Sequence, residues 1–295
     1  MPELPEVETT VRDLQKKVLS RTFIDVWADS QKIIKKPKSF EEFKKELKSK
    51  KIKRVWRRGK NIIFELSQDY SLLVHQKLTG HLLFGYWILD NGYWKPKIKG
   101  PLEEKVNSYI HLIFFLDNGK MLALSDLRKF AKVELWKTEA FKNSKEFKSL
   151  GPEPLEKDFT FEKFKEALRQ AQGKPRKGKI KQVLMNQEVI AGIGNIYSDE
   201  MLWCAKVHPF KETPKLKEAE LKGIYKNLKS VLEKAIELGG ESISDFRDLE
   251  GRRGEFDKAR KVYRREGEKC SRCGTVIKRA KIGGRSAHFC PTCQK

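Results

Sequence analysis

The sequence predicts an α+β chain in three blocks: a β-rich N-terminal block, a helical middle and a small cysteine-containing C-terminal block. Three observations predict it. Short apolar runs separated by turn signals fill residues 20–137, helical patterns fill residues 159–238, and residues 261–295 change to cysteine, glycine and arginine. A length of 295 residues suits about two domains, and 39% hydrophobic residues suffice for a buried core.

The N-terminal block opens with a helix-like stretch and continues as a series of strands. Its apolar runs are TFIDVWA, NIIFEL, SLLVHQKL, YIHLIFFL, MLAL and AKVELW. Asp90-Asn91-Gly92 and Asp117-Asn118-Gly119 lie between such runs, and an Asx-Gly pair between strands is typical of tight hairpins. This block predicts a β-sandwich or barrel, and the GPEP of Gly151–Pro154 marks its end.

The middle block shows helical patterns over Phe159–Gln170, Ile180–Gln187, Asn195–Trp203 and Leu216–Leu238. No apolar run approaches the ~18 residues that a membrane helix needs. The start, MPELPEVETTVRDLQ, carries acids where a signal peptide needs a basic stretch followed by an apolar one. We therefore expect a soluble intracellular protein with no membrane partner.

The charge points to a polyanionic partner. Lys+Arg number 63 against 40 Asp+Glu, a net charge of +23. Three stretches concentrate it: residues 31–60 hold 14 basic and 3 acidic residues, residues 169–181 hold 6 basic and no acidic, and residues 261–295 hold 10 basic and 2 acidic. Basic stretches of this kind are typical of nucleic-acid binding, although each alone also suits a solvated surface.

Four cysteines predict a metal site. Cys270-x-x-Cys273 and Cys290-x-x-Cys293 form two pairs, and two residues between cysteines let both thiolates reach one tetrahedral zinc ion. A pair of disulfides and a redox pair are both disfavoured, because the chain has no secretion signal and two spaced pairs in a basic tail suit zinc better. With four cysteine ligands the zinc has no open position for a catalytic water, so we predict one structural Zn²⁺ that supplies folding energy.

The N-terminus combines a potential nucleophile with neighbouring acids. Met1 before a small residue is normally removed, which would leave Pro2 as a secondary amine close to Glu3 and Glu6. A terminal amine has a pKa near 8, so about a tenth of it is unprotonated at neutral pH and able to form a Schiff base. Alternatively, the prolines only stiffen a helix start at which the dipole favours acids. The residues alone favour this second, structural interpretation.

Several motifs carry a resemblance to a known family. PELPEVE directly after Met1, RRGKNIIFEL, SDLRKFA, LGPEPL, IKQVLMNQEVIAGIGNIYSDEMLW, GGESISDFRD and the terminal CSRCG…GGRSAHFCPTCQK occur in family order. Along almost its whole length the chain resembles the bacterial formamidopyrimidine-DNA glycosylases.

The resemblance implies a β-sandwich catalytic domain at residues 1–137, a linker at 138–150, a helix–two-turns–helix domain at 151–260 and a zinc finger at 261–295, with DNA between the domains. It also implies excision of oxidised purines, 8-oxoguanine and formamidopyrimidines, from damaged double-stranded DNA, followed by β,δ-elimination at the abasic site. We expect a bacterial cytoplasmic monomer, associated with the nucleoid through DNA and without an obligate protein partner.

The resemblance assigns catalytic roles residue by residue. Pro2 would attack the sugar C1′, Glu3 would donate protons in the glycosylic and ring-opening steps, and Glu6 would support them. Lys60, in RRGK, matches the lysine assigned proton transfer in β-elimination, and Arg285, in GGRSAHFC, matches the arginine that supports δ-elimination.

The resemblance also implies DNA contacts. Asn195 would hold a backbone phosphate, and Arg128 and Phe130 would fill the space left by the flipped base. At three positions this chain departs from the family. Leu78 replaces an inserted methionine, Tyr109 replaces a DNA-contacting histidine, and Arg176 replaces a lysine near the damaged nucleotide. An arginine there keeps the charge and changes the geometry.

Two other functions stay open at this point. An endonuclease VIII-like enzyme for oxidised pyrimidines would share the nucleophile, but that branch usually begins PEGPE where this chain has PELPE. A non-catalytic zinc-dependent DNA-binding protein would not need Pro2, Glu3, Lys60 and Arg285 together.

Overall fold

The computed structural model describes residues 1–171, 174–175, 178–243 and 245–295. They form two compact units. The first unit comprises Met1–Lys148 and Leu238–Asp257, and the second comprises Ser149–Glu237 and Lys258–Lys295. Leu238–Asp257, here called the return segment, thus lies with the N-terminal unit, whereas sequence patterns place it in the helical block.

The elements of the first unit are α1 (Leu4–Val18), β1 (Phe23–Ala28), β2 (Ile34–Lys36), α2 (Phe40–Leu47), β3 (Ile52–Arg58), β4 (Asn61–Leu66), β5 (Tyr70–His75), β6 (His81–Gly85), β7 (Trp87–Asp90), β8 (Tyr93–Pro96), β9 (Ile110–Leu116), β10 (Met121–Ser125), β11 (Lys132–Lys137), α3 (Thr138–Lys142) and α4 (Lys145–Lys148). Those of the second unit are α5 (Phe161–Arg169), β12 (Gln170–Ala171), β13 (Lys174–Pro175), α6 (Ile180–Met185), α7 (Asn195–Cys204), α8 (Glu218–Glu237), β14 (Lys278–Ile282) and β15 (Arg285–Phe289).

The first unit is a β-sandwich, which confirms the predicted fold class. One sheet has the order β1-β9-β10-β6 and the other has the order β2-β11-β5-β4-β3. Neighbours are antiparallel except for the parallel pair β2 and β11. Val26, Phe114 and Leu124 from the first sheet and Phe64 and Val74 from the second lie in one buried cluster. Both Asp-Asn-Gly turns join antiparallel neighbours, as predicted.

Helix α1 packs against this sandwich because its apolar residues repeat at helical spacing. Val7, Val11 and Leu14 are fully or almost fully buried in the same cluster as the sheet side chains. Gln15 Nε2 also donates to the Val55 carbonyl at 2.7 Å, which ties the helix to β3. The packing holds the N-terminus of the chain against the sandwich.

The second unit combines helices with the hairpin β14–β15, which lies between the two cysteine pairs. Helix α7 packs against α6, α8 and β15. Trp203 from α7 shares a buried cluster with Val262, Cys270, Ile277 and Cys290. The four predicted middle helices are present, with ends shifted by up to a few residues. No helix in the described part of the chain has both the length and the apolar content needed to cross a membrane.

Candidate active site and nucleic-acid interface

The chain start is fixed at the N-terminus of α1. Pro2, Glu3 and Glu6 are buried, Glu3 with 2% and Glu6 with 1% of its surface exposed. Glu3 is the residue that caps the helix, and its backbone N–H donates to Glu6 Oε2 at 2.6 Å. Carboxylates are stabilised at this end of a helix by the orphan N–H groups and the dipole. The helix start therefore brings Pro2 beside two buried acids.

The return segment holds the second oxygen of Glu6. The backbone N–H of Glu241 donates to Glu6 Oε1 at 2.8 Å. Gly240 has φ +82°, and a Cβ there would lie 2.8 Å from the same oxygen, so glycine is required for two reasons. This contact was not predicted from the sequence, although the pair Gly239-Gly240 is a signal for close backbone approach.

A second contact anchors the return segment further along. Arg247, with 2% of its side chain exposed, donates through Nε and Nη2 to the two carboxylate oxygens of Glu104, both at 2.7 Å. Arg253 also donates to Glu104 at 2.7 Å. The two guanidiniums outweigh the effect of burial and lower the pKa of Glu104 to about 2. The segment that supports Glu6 is thus fixed by a charged pair that persists at neutral pH.

Lys60 lies in the tight turn between β3 and β4. Its side chain is 8% exposed, and Gly59 before it has φ +57°. The end of β3 is tied to α1 because Arg57 Nε donates to Glu8 Oε2 at 2.9 Å. Burial raises the pKa of Glu8, but the guanidiniums of Arg57 and Arg12 lower it more, so the net shift is downward. This ion pair, also missed from sequence, fixes the Lys60 turn relative to the first turns of α1.

His75 connects the Lys60 turn to the next loop. It faces Asn61 across β4 and β5, and its Nδ1 accepts from the backbone N–H of Lys77 at 3.0 Å. Burial, followed by the charges of Lys77 and Lys60, lowers the pKa of His75 to about 3. The imidazole is therefore a neutral acceptor that orders the chain just before Leu78.

Asp126 joins the segments that carry the predicted insertion residues. This fully buried carboxylate accepts from the Thr79 hydroxyl and, at 2.7 Å, from the backbone N–H of Ala131. The backbone N–H of Asp126 donates to the Tyr109 carbonyl at 2.8 Å. Three of the predicted DNA-contacting segments, those of Leu78, Tyr109 and residues 128–130, are thereby held together. Asp126 is the D of SDLRKFA, so the motif contained a signal that the sequence analysis did not use.

The loop between β10 and β11 exposes an aromatic ring beside a cation at its tip. Phe130 is 50% exposed, and the Arg128 guanidinium lies 4.9 Å from its ring centroid. Lys129 between them has φ +53°, which turns the chain at the tip. Leu78 is only partly buried. An exposed ring on a rigid base suits insertion between stacked bases.

The second unit contains a polar cavity at the N-terminus of α7. Its volume is about 600 Å³, and its lining includes Asn195, Tyr263, Arg264, Arg279 and His288. Asn195 is the first residue of α7, where backbone N–H groups favour an anion. Its Oδ1 has no hydrogen-bond partner among the described residues. Arg264 and the N-terminus of α7 favour an anion in this cavity, whereas Glu266, which also lines it, pairs with Arg279 at 3.5 Å. The cavity contains the asparagine predicted to hold a phosphate.

Arg285 begins β15 directly after a two-glycine turn. Gly283 (φ +54°) and Gly284 (φ +74°) form the turn, and the Arg285 side chain is exposed. Next to Arg285, the carbonyl of Ser286 accepts from the Lys181 ammonium at 2.6 Å. The turn thus presents Arg285 to solvent on a fixed base.

A buried ion pair supports that hairpin. Lys181 Nζ lies 2.6 Å from Asp199 Oδ1, and both side chains are completely buried. Asp199 Oδ2 accepts from the backbone N–H of His288 at 2.9 Å and contacts His288 Nδ1 at 3.0 Å. Glu200, beside Asp199, accepts from three successive backbone N–H groups of residues 261–263. Neither carboxylate was predicted from the sequence, because no local pattern marks a partner so far along the chain.

The four predicted cysteines meet at one point. Their sulfurs all lie within 4.8 Å of one another, with Cys273–Cys290 at 3.5 Å and Cys270–Cys293 at 4.0 Å. A tetrahedral zinc with Zn–S bonds of about 2.3 Å separates its sulfurs by about 3.8 Å. Trp203 Nε1 also lies 3.5 Å from Cys270 Sγ, as a donor to a ligating sulfur would. The donor set fits one structural zinc, as predicted.

One predicted site residue cannot be placed. Arg176 lies outside the described residues. Pro2, Glu3, Glu6 and Lys60 lie in the first unit with Leu78, Tyr109, Arg128 and Phe130, while Asn195, Arg285 and the zinc cysteines lie in the second.

Comparison with known protein families covers nearly the whole chain. Residues 1–133 match the formamidopyrimidine-DNA glycosylase N-terminal domain, residues 150–247 match the H2TH domain of the same enzymes, and residues 267–295 match the zinc finger found in FPG and IleRS. The formamidopyrimidine-DNA glycosylase of Pelotomaculum thermopropionicum is 39% identical over 100% of this chain and 99% of its own length. That of Lactococcus lactis subsp. cremoris is 38% identical over the full length of both.

Solved structures agree with this comparison. The Lactococcus lactis Fpg in complex with abasic-site DNA has a TM-score of 0.83 at 38% identity and covers 99% of both chains. MutM in complex with DNA containing carbocyclic 8-oxo-G has a TM-score of 0.84 at 38% identity over 100% of both chains. By sequence over its full length and by fold, this chain belongs to the formamidopyrimidine-DNA glycosylase family.

Proposed function

We propose that this protein removes oxidised purines from double-stranded DNA and then cleaves the strand at the abasic site. The observation that carries the proposal is the buried chain start, where Pro2 lies beside the acids Glu3 and Glu6. The complexes of the related enzymes with abasic-site, Fapy-dG and 8-oxo-G DNA support the choice of substrate.

The chemistry uses the groups of the first unit in sequence. Once Met1 is removed, the Pro2 nitrogen attacks C1′, and the base leaves with a proton from Glu3, whose carboxylate then takes the proton of the proline nitrogen. Glu3 donates this proton to O4′ as the C1′–O4′ bond breaks, which opens the sugar and leaves an iminium between Pro2 and C1′. The resulting iminium acidifies the proton at C2′, and Lys60 transfers this proton as the 3′ phosphate leaves. Arg285 of the second unit supports loss of the second phosphate, and hydrolysis of the iminium regenerates the amine.

DNA is held by both units in this proposal. The α7 cavity with Asn195 binds a backbone phosphate, while Arg128 and Phe130, with Leu78, fill the space left by the flipped base. Because a chain with net charge +23 displaces many counterions, affinity should fall steeply between about 50 and 200 mM salt. The protein acts as a monomer in the bacterial cytoplasm, associated with the nucleoid through DNA.

Borohydride trapping tests the proposal. The protein, confirmed by mass spectrometry to start at Pro2, is incubated with a duplex carrying 8-oxoguanine opposite cytosine and, separately, with a thymine-glycol duplex. We expect a crosslink through Pro2 with the first duplex, and none from a form that retains Met1, whose amide blocks the nitrogen.

The other outcomes discriminate between functions. A Pro2 crosslink with thymine glycol alone would assign the enzyme to oxidised pyrimidines. If neither duplex is trapped, the protein binds DNA without lyase chemistry.

A further inference from the structure

We propose that a pocket on the first unit binds a short acidic peptide of a partner protein. The pocket, here called the hairpin pocket, has a volume of about 350 Å³ and lies beside the β7–β8 hairpin. Phe84, Tyr86, Ile98 and Leu102 provide its apolar walls. None of these residues belongs to the catalytic or DNA-contacting groups described above, so the inference does not rest on the proposed function.

The charges around the hairpin pocket are predominantly positive. Lys17, Lys99, Lys120 and Arg252 line it together with a single acid, Glu250. Glu250 is already paired, at 2.7 Å with Lys17 and at 2.6 Å with Arg252.

Two of these cations remain available. Within the described parts of the chain, no carboxylate forms an ion pair with Lys99 or Lys120. The Lys120 ammonium lies instead over the rings of Phe84 and Tyr86, 5.2 and 5.8 Å from their centroids. The pocket therefore offers two cations to an incoming anion, directly at the edge of an apolar surface.

The surface around the pocket is unusually apolar. Eleven large hydrophobic side chains are exposed in the described parts of the chain, and five of them lie between residues 86 and 98. They are Tyr86, Ile88, Leu89, Tyr93 and Ile98, exposed by 36, 50, 57, 74 and 64% respectively. Tyr86 and Ile98 line the pocket itself, and exposed apolar residues grouped at a pocket typically mark an interaction site.

The hairpin presents this surface on a fixed base. Strands β7 and β8 pair with each other as a separate two-stranded sheet. Trp87 is buried, and Trp94 and Leu102 pack against the same cluster. The face with Trp87 and Trp94 is thus packed, and the opposite face presents Ile88 and Tyr93 to solvent.

Apolar walls with cations at the rim favour a peptide over nucleic acid. A phosphodiester placed against Phe84, Ile98 and Leu102 would lose hydration without an apolar partner to gain. A peptide can place a phenylalanine or leucine in the pocket while flanking carboxylates meet Lys99 and Lys120, which is the usual arrangement of an apolar centre and a polar rim.

Fluorescence anisotropy tests this site with a labelled hexapeptide of four glutamates, one phenylalanine and one leucine. The protein is first saturated with an abasic-analogue duplex so that its DNA-binding surface is filled. We expect binding that is lost when serines replace the two apolar residues, and also when glutamines replace the glutamates.

Matched variants locate the binding. Lys99→Glu with Lys120→Glu should weaken peptide binding about ten-fold or more, as should Ile98→Ser through loss of an apolar wall. The double variant Lys35→Glu with Lys53→Glu makes the same charge change at exposed positions away from the pocket and should weaken binding much less. Circular dichroism would confirm that all variants fold.

Three results would overturn the proposal. Equal loss in both double variants would show that only net charge matters. Equal binding of the serine peptide would remove the role of the apolar walls. Peptide binding to the DNA-free protein but not to the duplex-saturated protein would assign the pocket to DNA.

Discussion

The start of α1 and the Arg285 hairpin present functional groups by different physical means. Helix α1 packs its apolar stripe, with Val7, Val11 and Leu14, into the large core of the sandwich. The hairpin belongs to a small module held by four cysteine sulfurs and by the buried pair Lys181 and Asp199. The first region depends on apolar burial, and the second depends on a metal and on charges.

The difference follows from size. A large sandwich buries enough apolar area to hold a helix end, and only the last contacts around Glu6 are polar. A module of about 30 residues cannot bury enough apolar surface to fold by itself. Metal and ion-pair anchors replace the missing core, and they make the second region more sensitive to single changes.

Zinc removal should have the largest effect because it should unfold the metal-dependent region and leave the sandwich folded. Structural zinc supplies on the order of 10 kcal/mol to small domains, so chelation should unfold the module, quench or shift the fluorescence of Trp203 and abolish DNA binding. The sandwich should retain its β-sheet circular dichroism. Cys204→Ser, at a cysteine outside the metal cluster, is the control and should bind DNA normally. DNA binding that survives the chelator would show that the finger is dispensable.

Lys181→Met should have the next largest effect. It leaves the fully buried Asp199 carboxylate without its ammonium, which costs about 3–5 kcal/mol. Denaturant unfolding measures the loss, and Asp199→Asn added to Lys181→Met should recover part of it. The control Lys211→Met breaks the partly exposed pair with Glu220 and should cost about 1 kcal/mol or less. Equal losses for the two lysines would contradict the role assigned to burial.

Gly240→Ala should test the first region with a smaller change in stability. A positive φ of +82° costs about 1–3 kcal/mol for alanine, and the new Cβ displaces the Glu6 carboxylate. We therefore expect reduced borohydride trapping as well as reduced stability. Gly239→Ala also has a positive φ, +71°, but its Cβ meets only ordinary contacts, so it should lose stability without losing trapping. Full trapping by Gly240→Ala would remove the return segment from the site.

Acid should reveal the smallest effect, at the anchor between Glu104 and Arg247. The pKa of Glu104 is lowered from 4.5 to about 2, so its contribution to folding is complete above pH 4.5 and is lost as the pH falls towards 2. Glu104→Gln should lower Tm at pH 6 by a few degrees. In this variant Tm should also decrease less than in the wild type as the pH falls from 4.5 to 2. Glu103→Gln is the adjacent control. A wild-type Tm independent of pH in this window would contradict the anchor.

Local patterns were sufficient for much of the fold. Alternating apolar runs and Asp-Asn-Gly turns predicted the strands, and the spacing of Cys270, Cys273, Cys290 and Cys293 predicted the metal cluster. Helix α2 was missed because its residues lie in a stretch dominated by lysines, where charge hid the Ser39 cap and the buried Phe43 and Leu47. The catalytic assignments of Pro2, Glu3 and Lys60 remain predictions, although the structure buries all three.

The sequence by itself determined what depends on short spacing: the strand and helix periods, the turns, the zinc knuckles and the family motifs. Only the tertiary structure decided the contacts over long separations. Glu241 with Glu6 and Arg247 with Glu104 join residues more than 140 positions apart. Such pairs leave no period in the chain, because any acid and any donor are compatible until packing brings two of them together and removes water from both.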